Sequence, residues 1–254
     1  MLACSVVAGP AAFLTPAAHA ACELHSGSRT AALVELYTSE GCSSCPPADR
    51  QLSRLREALD ANAVVVPLSL HVTYWNYIGW IDPFGQRVFD ERHRRLVRAN
   101  GQRTLFTPQF FVGGTELRAT RTGLREQVRR VNDSPAGAVI RLHAGLARAE
   151  TLALEVSASA PKDSDALALY VALAESRLVS RVARGENAGA MLEHDHVVRA
   201  WIGPVPFGAD GARVRQEIPL PSAWKRPDLE LAAFVQHEPS GRVLQAVGGR
   251  CAAF

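Results

Sequence analysis

Beyond its first twenty residues, this chain of 254 has no run long and apolar enough to span a bilayer, so no membrane-crossing helix is expected. Its 28 basic and 25 acidic residues are dispersed. There is no long basic tract and no series of aromatics among basic residues, so nothing is arranged to follow a phosphate backbone, and nucleic acid is not an expected partner. Internal repeats are absent, and the only low-complexity stretch is the Ala-rich start. The first twenty residues contain no Lys, Arg, Asp or Glu. They are apolar from Leu2 to Leu14 and end Ala18-His19-Ala20, an A-x-A cleavage pattern, so residues 1–20 read as a secretory signal that lacks the usual positive n-region. A lipoprotein reading of Cys22 is disfavoured, because His19 stands where a lipobox carries Leu or a similar apolar residue.

What is present is a small set of cysteines. Removing residues 1–20 removes Cys4 and leaves Cys22, Cys42, Cys45 and Cys251, an even number suited to an oxidising compartment, periplasmic or extracellular. Four cysteines allow three pairings. Proximity favours Cys42 with Cys45, which leaves Cys22 near one end to meet Cys251 near the other; a bond across so long a loop is worth roughly 4–5 kcal/mol in the chain-entropy model. The alternative is that the two terminal cysteines lie too far apart to pair.

Ala31 to Thr38 reads as a strand. Gly41-Cys42-Ser43-Ser44-Cys45-Pro46-Pro47 follows, with the proline pair suited to a first helical turn, and Leu52, Leu55 and Leu59 recur at helical spacing. Val64 to Leu70 is nearly continuously apolar, as a strand covered on both faces would be. After an aromatic-rich connection, His71 to Trp80, the Arg-rich segment from Phe84 to about Asn100 is read as a helix. Two short strands around Gly113-Gly114 come next, then a helix carrying Leu124, Val128 and Val131. The order β-α-β-α-β-β-α predicts an α/β thioredoxin-like domain over residues 28–134. Past the turn-rich Asp133-Ser134-Pro135-Ala136-Gly137, seven strands are expected, at 139–146, 152–159, 166–176, 197–202, 214–220, 229–236 and 243–247, which predicts an all-β sandwich-like domain over residues 138–254.

The C-x-x-C between strand and helix is the geometry of a dithiol that opens and closes as a disulfide. Cys42 is expected at the helix N-terminus, exposed and stabilised as a thiolate by the helix dipole, and Cys45 one turn inside as the buried resolving thiol. Thr107-Pro108 is expected as a cis bond opposite the dithiol, with the Thr107 backbone and Trp75 presented to an extended substrate. Glu35, on a strand covered on both faces, is costly there unless paired or put to use, and is the candidate proton acceptor for Cys45; the competing reading is an exposed or Arg-paired glutamate.

The stretches LVELYTSEGCSSCPPADR, HVTYWNYIGWIDPF, TPQFFVGG and RGENAGAMLEHDHVVR resemble the DUF1223 family of bacterial secreted proteins, in register across almost the whole mature chain. The resemblance implies a thioredoxin-like fold without an assigned function. Where the family pattern is often acidic, this chain carries Thr73 and Asn76.

The expected activity is thiol-disulfide exchange with a protein or small-thiol substrate and no organic cofactor. One alternative is a binding module in which Cys42–Cys45 is a permanent structural bond. Another is a Cu(I) carrier using Cys42, Cys45 and His71, whose soft thiolates and imidazole suit that ion. His194 and His196 at i and i+2 read as a polar strand end rather than a metal site, Trp75, Tyr77 and Trp80 as a packed cap over the sheet or an apolar rim beside Cys42, and residues 184–189 as a hairpin loop.

Overall fold

The computed structural model describes residues 22–118, 121–161 and 165–251. The expected signal segment, with Cys4, lies outside the described residues. A short strand β1 (Cys22–His25) is followed by β2 (Ala32–Thr38), α1 (Pro46–Ser53), α2 (Leu55–Ala58) and β3 (Val65–His71). Then come α3 (Arg87–Ala99), β4 (Gln109–Val112), β5 (Thr115–Glu116) and α4 (Arg121–Asn132). The rest is strand: β6 (Val139–Arg148), β7 (Thr151–Ser159), β8 (Leu167–Glu175), β9 (Leu178–Arg181), β10 (Met191–His194), β11 (Val197–Pro206), β12 (Ala212–Pro219), β13 (Leu229–His237) and β14 (Val243–Arg250).

Periodicity located the elements well. All seven strands expected after residue 137 are found, each within a few residues of its expected ends. Three four-residue strands, β1, β9 and β10, were not expected; they are too short to carry an alternation that stands out from loop. The single helix expected through Leu52, Leu55 and Leu59 is broken at Arg54, whose φ of −96° and ψ of 14° depart from helical values. Leu52 and Leu55 are nevertheless buried on one side.

β2 and β3 run parallel, and β4 and β5 extend the sheet antiparallel beyond β2. The two-domain expectation needs correction in one respect, because the boundary near residue 135 does not separate two sheets. β11 pairs in parallel with β3 at Val197 and Ser69, and the Ser69 N–H donates to the His196 carbonyl at 2.8 Å. Eight strands therefore form one sheet in the order β14-β13-β8-β11-β3-β2-β4-β5. A second sheet, β1-β6-β7-β12, takes its edge strand from the N-terminal end of the described chain. β8, in the middle of the large sheet, is buried at every position, as a strand covered on both faces must be.

The parity of β2 divides the molecule. Ala32, Val34 and Leu36 face a core built with Leu52, Leu55, Leu124 and Val128 from the helices on one side. Leu33 and Tyr37 face the other side, where α3 contributes Phe89, Leu96 and Val97 and the far strands contribute Tyr170 and Phe234. The second sheet packs on the remaining face of β8, β13 and β14 through residues such as Ile140, Leu142, Val156, Leu169 and Leu231. Cys22 and Cys251 are joined, with Cα atoms 5.4 Å apart, tying β1 to the end of β14.

Candidate active site

Cys42 and Cys45 are joined as a disulfide with Cα atoms 5.4 Å apart. They close the turn between β2 and α1, in which the Cys45 N–H donates to the Cys42 carbonyl at 3.1 Å. Cys45, not Cys42, stands at the start of the helix, as the residue before Pro46, with helical angles of φ −76° and ψ −38°. Cys42 lies three residues upstream of that point and is only 1% exposed, in contrast to the exposed sulfur expected from sequence. Only Ser43 and Ser44, at the tip of the turn, reach the surface.

The cover comes from far along the chain. The loop joining β9 to β10 lies over the dithiol turn, with the Asn187 amide donating to the carbonyls of Glu40 and Cys42 at 2.8 and 3.0 Å. The exposed Glu186 carboxylate accepts from the Ser43 N–H at 3.0 Å and the Ser43 hydroxyl at 2.7 Å, and these bonds hold its carboxyl below the ordinary range. Residues 184–189 are a hairpin loop, as their composition suggested, but nothing in their sequence indicated which surface they would cover.

On the other flank, the Thr107–Pro108 peptide bond is cis. The Thr107 carbonyl oxygen lies 3.7 Å from Cys42 Sγ. Trp75 is oriented toward this segment, its indole N–H donating to the Thr107 hydroxyl at 2.7 Å. Trp80 also turns inward, onto Glu40 Oε2 at 2.8 Å, whereas Tyr77 is 81% exposed. The aromatics are thus divided: two packed by hydrogen bonds, one displayed. Ile81 and Phe106, both exposed, flank the same region of the chain.

Glu35 is not beside the dithiol. It shares the parity of Leu33 and Tyr37, so it projects from the face of β2 opposite α1. There it is fully buried and bidentately paired with Arg92, at 2.7 and 3.1 Å. Arg92 also donates to Gln236 at 3.0 Å and lies within 4.8 to 5.1 Å of the ring centres of Tyr170, Trp201 and Phe234. Burial opposes the Arg92 charge, but Glu35 outweighs it and holds the guanidinium protonated. The Arg-paired alternative describes Glu35, and its proton-acceptor role for Cys45 is withdrawn for lack of proximity.

His194 and His196 also meet different partners. His194 Nε2 lies 3.0 Å from Glu40 Oε1, whereas His196, in a left-handed conformation with φ of 60°, lies 2.6 Å from Glu230 through Nδ1. His71 is buried on the α1 side of β3, with Nδ1 2.8 Å from Asp82. Burial disfavours the imidazolium, but the Asp82 carboxylate prevails and raises the His71 pKa. Asp82 in turn is held low: burial pushes it up, and His71 together with the backbone N–H groups of Glu40 and Phe84 outweigh that push. Among the described residues, no three His, Cys, Asp or Glu side chains are placed to hold a metal ion.

Glu186 and Asn187 bind the dithiol turn, and Glu40, Asp49 and Asp82 are buried close to it in the fold; sequence named the 184–189 loop but gave none of these five a role. The one available signal was an acid four residues after Cys45, on an otherwise apolar helix face.

A family model described as a protein of unknown function, DUF1223, matches residues 33–236. Among solved structures, a crystal structure of an Agrobacterium tumefaciens protein aligns with a TM-score of 0.60 at 23% identity, covering 87% of this chain and 95% of that one. HBP35 of Porphyromonas gingivalis aligns with a TM-score of 0.65 at 17% identity, covering 89% of this chain and 76% of its own. At these identities the likeness is one of fold. No curated protein matches the chain in sequence.

Proposed function

The chain belongs to the DUF1223 family, and from that premise and the geometry around its cysteines we propose that it is an exported thiol-disulfide oxidoreductase of thioredoxin-like architecture, acting through Cys42 and Cys45. The observation that carries the reading is the Cys42–Cys45 bond in the turn before α1, with the carbonyl of the cis Thr107–Pro108 segment 3.7 Å from Cys42 Sγ. A dithiol with a backbone carbonyl beside it has what exchange requires: a sulfur to attack and a main-chain group with which an extended substrate can pair. The element order β2-α1-β3-α3-β4-β5-α4, with β2 and β3 parallel, supports the thioredoxin-like assignment. Two disulfides among the described residues favour an oxidising compartment. No helix among the described residues is long and apolar enough to cross a membrane.

Cys42 is the nucleophile in this reading because its sulfur lies beside the Thr107 carbonyl, and Cys45, fully buried at the start of α1, is the resolving thiol. Exposed Tyr77, Ile81 and Phe106 supply apolar contacts for an extended protein substrate. Access requires the β9–β10 loop to lift from Ser43 and Cys42. That same cover favours a second reading, in which Cys42–Cys45 is a permanent structural bond in a binding module.

Redox titration in glutathione buffers, with thiol trapping read by mass spectrometry, separates the two. Exchange predicts a reversible Cys42–Cys45 couple between about −270 and −120 mV, the range of known oxidoreductases, while Cys22–Cys251 stays closed. A Cys42–Cys45 pair that remains oxidised throughout identifies the structural bond, and exchange activity that survives Cys42→Ser rejects the enzyme.

A further inference from the structure

Asp49 lies one helical turn after Cys45, and its N–H donates to the Cys45 carbonyl at 3.0 Å. Because Cys45 already has helical backbone angles, the i, i+4 relation of a helix interior holds between the two residues. Their side chains share one face. Helical side chains lean toward the N-terminus, so the Asp49 carboxyl extends over the turn that carries Cys45. Both residues are buried, Asp49 at 6% exposure and Cys45 at 0%.

The groups facing Asp49 come from every element packed there. Thr38 and His71 are paired neighbours across β2 and β3, on the α1 side of the sheet. His194 arrives from β10, its ring centre 5.0 Å from that of His71. Behind the two imidazoles stand Glu40 and Asp82, each bound to one ring nitrogen. Four buried side-chain atoms in this group have no hydrogen-bond partner: Thr38 Oγ1, Asp49 Oδ1, His71 Nε2 and His194 Nδ1. A buried carboxylate oxygen without a donor is expensive to maintain, and packing alone would be better served by an apolar residue. Burial raises the Asp49 carboxyl above its ordinary range, while the charges of His71 and His194 and the neighbouring Thr38 hydroxyl limit the rise.

We propose that Asp49 accepts the Cys45 thiol proton when the dithiol closes. The inference rests on the exchange reading above and assigns the acid that Glu35, on the opposite face of β2, does not supply. In the mixed disulfide, Cys42 is bonded to the substrate sulfur and Cys45 carries its proton. The proton passes to the Asp49 carboxylate, and the electron pair left on Cys45 Sγ attacks Cys42 Sγ. The Cys42–Cys45 bond forms, the bond from Cys42 to the substrate breaks, and the substrate departs as a thiolate. The protein dithiol loses two electrons and the substrate disulfide gains them. In the reverse direction the Asp49 acid returns its proton to Cys45.

The test follows the reduced full-length protein reacting with an aromatic disulfide whose thiolate absorbs visible light, across a range of pH. The first equivalent released reports attack by Cys42 and the second reports resolution by Cys45. Asp49→Asn is expected to leave the first phase unchanged, to slow the second about 100-fold near neutrality and to move its pH midpoint upward, with partial recovery in Asp49→Glu. A second phase with unchanged rate and midpoint in Asp49→Asn overturns the inference and leaves the exchange reading intact. Absence of a second equivalent from the unsubstituted protein overturns both. Without any substitution, carboxyl-carbon NMR of Asp49 is expected to give different titration midpoints in the oxidised and reduced protein, and identical midpoints overturn the inference.

Discussion

His93, on α3, is held neutral by its surroundings. It is fully buried, stacked at 4.1 Å on Tyr37, with Nε2 2.5 Å from Gln109 Oε1. Burial lowers its pKa to about 4, the Gln109 bond acting against that shift. In the unfolded chain the imidazole takes a proton near pH 6.5, whereas in the native protein it stays neutral until about 4. Between those values the unfolded state binds the extra proton, so this contribution to stability is complete above about pH 6.5 and is lost as the pH falls toward 4. The loss amounts to at most about 3 kcal/mol at full shift. Urea unfolding at stepped pH should show a steep decline over this window that flattens in His93→Gln; equal slopes in the two proteins would assign the acid sensitivity elsewhere. Glu35 teaches a related lesson. Sequence identified a costly buried acid on β2, and the cost is real, but Arg92 from α3 meets it, a partner 57 residues away.

At the level of elements, the β9–β10 loop covers the dithiol turn. It is pinned to the turn by two bonds from Asn187 and two into Glu186. Removing the Asn187 amide forfeits two neutral hydrogen bonds of about 1 kcal/mol each, so Asn187→Ala should speed opening, and with it reduction of Cys42–Cys45 by dithiothreitol, about 30-fold. An unchanged reduction rate would mean that the loop is not the barrier to access. Helix α1 shows how far periodicity reaches. The proline pair marked its start and Leu52 its buried side, yet the same side carries Asp49, and an acid on a helix face is by itself indistinguishable from a solvated one. Its burial depends on β3 and β10 supplying His71 and His194.

Over the whole molecule, the disulfide between Cys22 and Cys251 closes a loop with a sequence separation of 229. The chain-entropy model gives such a link about 5 kcal/mol. Replacing both cysteines with alanine should therefore lower unfolding stability by several kcal/mol while leaving the Cys42–Cys45 couple in place, measured by denaturant melts and thiol trapping on the same sample. A loss under about 1 kcal/mol would show that the β1–β6 and β13–β14 pairings already hold the ends together. The eight-stranded sheet also joins the two halves. The β3–β11 seam lies beneath α3, and Arg92 joins Glu35 of the first half to Gln236, Tyr170 and Phe234 of the second. Each half completes the other's core.

The order of the longer strands and helices, the C-x-x-C turn and the Thr-Pro segment were legible in the chain, because alternation, proline placement and short spacing are local properties. Family membership was legible for the same reason, since it resides in contiguous motifs. Tertiary structure alone decided that β11 would join β3 and merge the two halves into one sheet, that residues 184–189 would lie on the dithiol, and that Arg92 would claim Glu35. It also buried Asp49, an acid four residues after Cys45, against His71 and His194. These outcomes depend on contacts between residues tens to more than a hundred positions apart, and a charged side chain reveals its partner only once the fold has brought the two together.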